Sequence, residues 1–118
     1  MHTRYAANKQ SLIDAVLSSP GDASLVLRRA VAARSAQLGT RSTQYIEQVP
    51  IELERYIARV ALYAYQTTDQ DIEDLRNVGY SEDAIFEITL SAALGAGMVR
   101  LECGLAALKG GTDADQEA

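Results

Sequence analysis

Residues 77–88, NVGYSEDAIFEI, decide how this chain folds, because they end one helix and begin another within a few positions. Gly79 is a natural helix terminator, and Ser81 followed by two acidic residues is a typical helix start. The stretch therefore predicts a tight junction between a short helix, at about 69–78, and a long helix, at about 82–108.

Three more helices are predicted upstream of this junction, at about 9–18, 23–38 and 51–66. A Pro20-Gly21 pair separates the first two, and Pro50 suits the first turn of the third. We therefore expect an all-α protein, a bundle of about five helices.

The composition fits one closely packed helical domain. The chain has 118 residues and is 47% hydrophobic, with no Trp and one Phe, so much of its apolar content is alanine. We expect a single domain over residues 1–110 and an acidic, flexible tail over residues 111–118.

The charge pattern excludes some partners. A net charge of −5 argues against nucleic acid, since phosphate binding needs a basic surface. The amino terminus has no apolar core typical of a secretory signal, and the uncharged run 88–99 is too short to cross a bilayer. The sequence therefore predicts a cytoplasmic protein with neither a nucleic-acid nor a membrane partner.

Common catalytic and cofactor motifs are absent from the sequence. The alternation of acids at 69–74 lacks the glycine and glutamate of a calcium loop, and the glycines near 95–97 do not form a dinucleotide fingerprint. His2, the only histidine, lies in a terminus expected to be flexible. Cys103, the only cysteine, lies late in the Ala/Gly-rich helix and is expected to be a buried packing residue. We therefore predict no metal and no cofactor.

One stripe of polar side chains on the third helix is a candidate site. Its residues recur at helical spacing about a quarter-turn from the apolar face, which is formed by Leu53, Ile57, Val60, Ala61 and Ala64. The stripe consists of Glu52, Tyr56, Arg59 and Tyr63.

Two interpretations of this stripe remain open. It is either an ordinary solvated or inter-subunit face, or the wall of a ligand pocket with Thr67 and Asp71 at its mouth. In the second case Arg59 would hold a carboxylate, the two phenols would offer hydrogen bonds, and Glu52 would be the catalytic acid or base.

From Val49 to Leu108 the chain resembles the carboxymuconolactone decarboxylase superfamily, which includes the AhpD-type alkylhydroperoxidases. The resemblance is carried by the helix before the junction, by NVGYSEDAIFEI, and by the Ala/Gly-rich helix at 91–108. It covers about half of the chain, with a weaker likeness in LVLRRAVAARSAQLG at 25–39. The resemblance implies an AhpD-like helical fold.

The same resemblance argues against the family's two known activities. Redox members carry Cys-x-x-Cys-x-x-x-His here, and these positions fall on Ala64, Thr67 and Asp71, while the upstream acid is matched by Glu52. Neither Ala64 nor Thr67 forms a thiolate or a disulfide. The decarboxylase branch keeps a histidine near the position of Asp71, and that histidine is also missing.

The family also implies a homo-oligomer, a trimer or a hexamer. A set of small residues on the last helix independently suits close helix contact, within the chain or between subunits. These residues are Ala92, Ala93, Ala96, Gly97 and Gly104.

Three functional hypotheses follow. The first is an AhpD-like oligomer that serves either as a binding or accessory protein, with a small carboxylate or lactone as a possible ligand, or as an enzyme of unidentified non-thiol chemistry. The second is a decarboxylase- or isomerase-like enzyme acting on a lactone or keto acid. In the second, Glu52 is the acid/base and Arg59 the carboxylate clamp. The third is a residual peroxidase using Cys103 alone.

Overall fold

A computed structural model describes residues 2–40 and 48–117, with side chains described at residues 4, 6–40 and 48–110. The described part is all-helical, which confirms the predicted class and the number of helices. The helices are α1 (His2–Leu17), α2 (Leu25–Thr40), α3 (Ile51–Leu62), α4 (Asp69–Val78) and α5 (Glu82–Glu117), with a 3-10 turn (Ala64–Gln66) after α3.

Helix boundaries agree with the sequence where a strong cap is present. Helix α4 matches its predicted bounds, whereas α3 ends at Leu62 instead of about residue 66. Helix α5 continues to Glu117 through the Gly110-Gly111 pair, which was expected to end it. Glycine weakens a helix by about 1 kcal/mol but, unlike proline, keeps its hydrogen-bond donor. Helix α1 begins at His2 instead of near residue 9, so the terminus that was expected to be flexible is helical from His2 onward. The side chain of His2 and residues 41–47 of the predicted polar loop lie outside the described part of the chain.

The first half of α5 lies at the centre of the core and packs against α2 and α3. Ile88, Leu53 and Ile57 are fully buried there. A Cβ added to Gly95 would overlap the carbonyl oxygen of Ala32, so this glycine allows α2 and α5 to approach closely. Ala92 and Ala96, two of the predicted small residues, are buried as well, so part of the predicted small-residue contact is made within the chain.

The α1–α2 connection is held by a buried arginine. Arg28 is only 3% exposed, and its guanidinium donates hydrogen bonds to the carbonyls of Ala23 (3.1 Å), Val16 (2.9 Å) and Ser19. The carboxyl end of α1 carries partial negative charge, which suits a cation. Arg28 therefore acts as a structural tie between the two helices.

Residues 77–88 have architectural roles. Gly79 adopts a left-handed φ of 118° at the end of α4. The Ser81 hydroxyl accepts a hydrogen bond from the Ala84 amide at 3.0 Å, as a helix cap does. The Glu87 carboxylate accepts from the amides of Asp22 (3.0 Å) and Ala23 (2.6 Å), just before α2. This stretch thus joins the α4–α5 junction to the start of α2.

Helix α5 is also apolar over an unusual length. By length and composition alone, the span Glu82–Gly110 could cross a membrane, and 39% of its most apolar window is buried in the protein. Core helices of soluble proteins meet the same criterion, so the measure does not establish a membrane role.

Candidate functional site

The α3–α4 junction is closed by a reciprocal cap. The Thr68 hydroxyl accepts from the Asp71 amide at 3.4 Å, and the Asp71 carboxylate accepts from the Thr68 amide at 2.9 Å. This capping box satisfies amides that the start of α4 would otherwise leave without partners. The cap predicted at Thr68 is confirmed.

Arg59 fastens the end of α3 to this cap. Its NH1 group donates to both carboxylate oxygens of Asp71, at 2.8 and 3.2 Å, and to the Gln66 carbonyl at 3.2 Å. The Arg59 and Asp71 side chains are 23% and 11% exposed. The charge of Arg59 is therefore matched within the chain, where the sequence predicted a clamp for a ligand carboxylate.

The environment of Asp71 favours its charged form. Burial by itself would raise its pKa, but the Thr68 amide and the Arg59 guanidinium together outweigh burial, so the pKa of Asp71 lies below its usual value of 3.8. Asp71 is thus a stable carboxylate near neutral pH and a poor proton donor there.

Glu52 lies in a second polar cluster. It is exposed and accepts a hydrogen bond from the Tyr80 hydroxyl at 2.8 Å. Burial, and then the bond and negative charge of Glu52, raise the pKa of Tyr80 to about 12. A depression of about 60 Å³ lies here, enough for water but too small for a lactone. It is lined by Glu52, Arg55, Tyr56, Asp71, Asp74 and Leu75.

Tyr56 points into the protein, and its hydroxyl meets that of Thr89 at 2.6 Å. The single hydroxyl proton of Thr89 is donated to the Ile85 carbonyl at 2.7 Å. Tyr56 is therefore the donor in the pair, which leaves a lone pair of its own oxygen to accept another hydrogen bond.

This hydroxyl pair borders the larger groove near the candidate site, with a volume of about 370 Å³. Phe86, 64% exposed, stands on its apolar wall, and Arg76 forms an ionic rim with Glu73 (3.4 Å) and Glu82. The groove is lined by Tyr56, Ile72, Arg76, Glu82, Ile85, Phe86 and Thr89. A mainly apolar groove with a few polar groups is typical of small-molecule sites.

The polar stripe does not converge on one pocket in the chain. Tyr63 is 49% exposed and makes an edge-to-face contact with Tyr65, at a ring separation of 6.5 Å. The Thr67 amide donates to the Ala64 carbonyl at 3.1 Å. Ala64 was expected on the buried face of α3 but is exposed, because α3 ends before it.

Cys103 is exposed, so the expectation that it packs inside the protein is wrong for the chain alone. It lies on α5 beyond the core, where residues 101–110 are all exposed. Within the described residues, no group of His, Cys, Asp and Glu side chains is arranged to hold a metal ion.

Thr89 and Phe86 line the groove but were not predicted as site residues. Thr89 meets Tyr56 across 33 positions, and no local pattern marks such a pairing. Phe86 is the only phenylalanine and lies near the start of α5. Its side chain is exposed, and single apolar residues on a surface are common, so the sequence offered no reason to assign it to a site.

Comparisons of the chain with family models, with curated proteins and with solved structures find no match.

Proposed function

We propose that this protein is a cytoplasmic small-molecule-binding or accessory protein of the AhpD-like class, a homo-oligomer without thiol redox chemistry. The groove at Tyr56 and Thr89 carries the proposal. It combines apolar walls with a phenol oxygen that is fixed in place and keeps a lone pair to which no described group donates.

The α3–α4 junction supports binding over redox catalysis. Ala64 and Thr67 occupy the positions of the family's two thiols, and neither side chain can exchange electrons with a peroxide. Asp71 occupies the histidine position, where Thr68 and Arg59 hold it as a charged structural group.

The geometry favours some ligands over others. Arg59 is already paired with Asp71, and the groove rim carries Arg76 between two glutamates, so neither place offers an unmatched positive charge. A neutral lactone suits the groove better than a carboxylate. A ligand hydroxyl or amide would donate to the Tyr56 oxygen while its apolar part covers Phe86.

Isothermal titration with a panel of hydroxylated lactones and small carboxylates tests this site. We expect a lactone to bind, and Tyr56→Phe to weaken it about tenfold, the loss expected for one hydrogen bond. Tyr65→Phe is the matched control, because Tyr65 is 82% exposed and does not line the groove. Binding that is equal in all three proteins would refute the site, and an absence of binding by every panel member would refute the proposed lactone class.

A second candidate function is an enzyme that acts on a lactone or keto acid with Glu52 as acid/base. The observation in its favour is the 2.8 Å contact between the Tyr80 phenol and the Glu52 carboxylate. Glu52 is exposed in the single chain, so this role would require a second copy to cover it and to enclose the substrate beside it. Unchanged turnover in Glu52→Gln would exclude this function.

A further inference from the structure

Within the described residues, one face of α5 is only partly covered by the rest of the chain: Leu94 on this face is 8% exposed, and its other leucines are exposed. At about 100° per residue, nine uncharged residues fall within an arc of about 140° on this face. We call it the open face, and it consists of Leu90, Ala93, Leu94, Gly97, Met98, Leu101, Gly104, Leu105 and Leu108. Its exposed leucines are 39% (Leu90), 36% (Leu101), 43% (Leu105) and 69% (Leu108) exposed.

Up to about residue 102, the other sides of α5 contact other helices of the chain. Gly95 faces α2 at Ala32, and Arg100 donates a hydrogen bond to the Ala61 carbonyl at the end of α3. On the α1 side, Lys9 pairs with Glu102 at 3.3 Å. Up to about residue 102 the open face is therefore bounded by α1 on one side and by the end of α3 on the other, whereas all residues from 101 to 110 are exposed.

The open face has a hollow part and a raised part. Its amino-terminal half forms an apolar groove of about 280 Å³. The groove is lined by Leu12, Val16, Leu90, Ala93, Leu94, Gly97 and Met98. Within the described residues, nothing lies within 4 Å of where a Cβ on Gly97 would be. The carboxyl-terminal half carries the exposed Leu101, Leu105 and Leu108.

We propose that a second copy of this chain covers the open face, with the two α5 helices antiparallel and related by a two-fold axis near Leu101. Each Leu105 then enters the groove at Gly97 of the other copy. Such an isologous contact requires a surface that is complementary to itself. Gly97 and Leu105 lie on either side of Leu101, each about 6 Å along the helix axis. A two-fold rotation near Leu101 therefore places Leu105 of each copy opposite Gly97 of the other.

Length and charge also favour a second copy. The open face extends about 27 Å along α5, the length of a substantial helix–helix contact. None of its nine residues is charged, so it offers nothing to a charged partner or to lipid headgroups. A glycine facing a leucine lets two helices approach closely and bury both.

This inference rests on the proposed homo-oligomer and specifies its contact. A two-fold contact builds a dimer, or joins two trimers into a hexamer, and is incompatible with an isolated trimer. Of the two assemblies that the family resemblance implies, it selects the hexamer.

Light scattering coupled to size-exclusion chromatography tests the contact. Gly97→Leu fills the groove from within its own chain, where the site is open, and improves helix propensity, so the fold should be retained. We expect it to halve the mass of the assembly, and Leu105→Asn to do the same. Ala106→Leu is the matched control, because this exposed residue lies on the opposite side of α5 from Gly97, and its mass should equal that of the wild type.

Three results would overturn the contact, and they separate it from the proposed function. The two-fold contact is refuted if the wild type is a trimer, or if it is an even-numbered assembly that both Gly97→Leu and Leu105→Asn leave intact. In either case the proposal that the protein is a homo-oligomer still holds. A monomeric wild type refutes both, and its sedimentation with phosphatidylcholine vesicles would assign the open face to lipid. Lactone binding at Tyr56 is measured separately and is decided by none of these three results.

Discussion

Among single residues, Arg28 has the most demanding environment. Its three acceptors are backbone carbonyls near the α1–α2 connection, and its side chain is almost fully buried. A buried cation is stable only when hydrogen bonds replace the water it has lost. The connection between the first two helices therefore depends on this one side chain.

Arg28→Met should reduce the free energy of unfolding by about 2–4 kcal/mol, because three carbonyls that are at least partly buried lose a charged donor. Arg29→Met, at an exposed neighbouring position, should change it by less than about 0.5 kcal/mol. Urea denaturation followed by circular dichroism measures both. Equal effects in the two variants would mean that Arg28 is not a structural tie.

Asp71 makes stability depend on pH. Its folded pKa is depressed, so its contribution is present above the unfolded pKa of about 4 and is lost as the pH falls through the folded value. Asp71→Asn should destabilise the protein by about 1–2 kcal/mol at pH 7, and the difference from wild type should shrink below about pH 4. Asp74→Asn is the control, since the exposed Asp74 bonds only to Gln70 among its described neighbours. A difference that is independent of pH would contradict this assignment.

Among contacts between single residues, those between residues close in sequence were predictable, and those between distant residues were not. Thr68 and Asp71 lie three positions apart, so their cap was readable as a local pattern. Arg28 reaches Val16 across 12 positions and Tyr56 reaches Thr89 across 33, and these pairs are set by how the helices pack. The polar stripe was read as one wall, although Tyr56 turns into the core and Tyr63 turns outward.

At the scale of helices, the packing of α2 on α5 depends on small residues. Gly95 has the Ala32 carbonyl where a Cβ would be, and the Ser35 hydroxyl donates to the Ala92 carbonyl at 2.5 Å. Two backbones therefore come close without a layer of large side chains between them.

Gly95→Ala should force these helices apart and lower the free energy of unfolding by about 1–3 kcal/mol, despite the better helix propensity of alanine. Gly110→Ala in the same helix should stabilise by about 0.5–1 kcal/mol, because the site is open. Thermal unfolding compares the two. A stabilised Gly95→Ala protein would show that α2 and α5 do not make this close contact.

Helix ends were predictable where capping chemistry is strong. Helix α4 has a capping box at Thr68 and a left-handed glycine at Gly79, and both its bounds follow from the sequence. The end of α3 was missed because the apolar period runs on to Ala64, while the backbone tightens into a 3-10 turn. Propensity alone also placed the end of α5 too early.

At the scale of the whole molecule, the chain is elongated. It measures 58 × 27 × 26 Å, and its radius of gyration of 16.3 Å exceeds the roughly 13.5 Å expected of a compact domain of this length. The cause is α5, whose residues 101–110 are exposed beyond the core. The helical class was predictable from composition and periodicity. What covers α5 was not predictable, because it depends on how surfaces distant in sequence, or on another chain, fit against this helix.

Native mass spectrometry of the wild-type protein with hydroxylated lactones added reports both the assembly and the bound ligand in one spectrum. We expect an even-numbered homo-oligomer that carries bound lactone, with the adduct much reduced in Tyr56→Phe and unchanged in Tyr65→Phe. A monomer without any adduct would contradict this expectation.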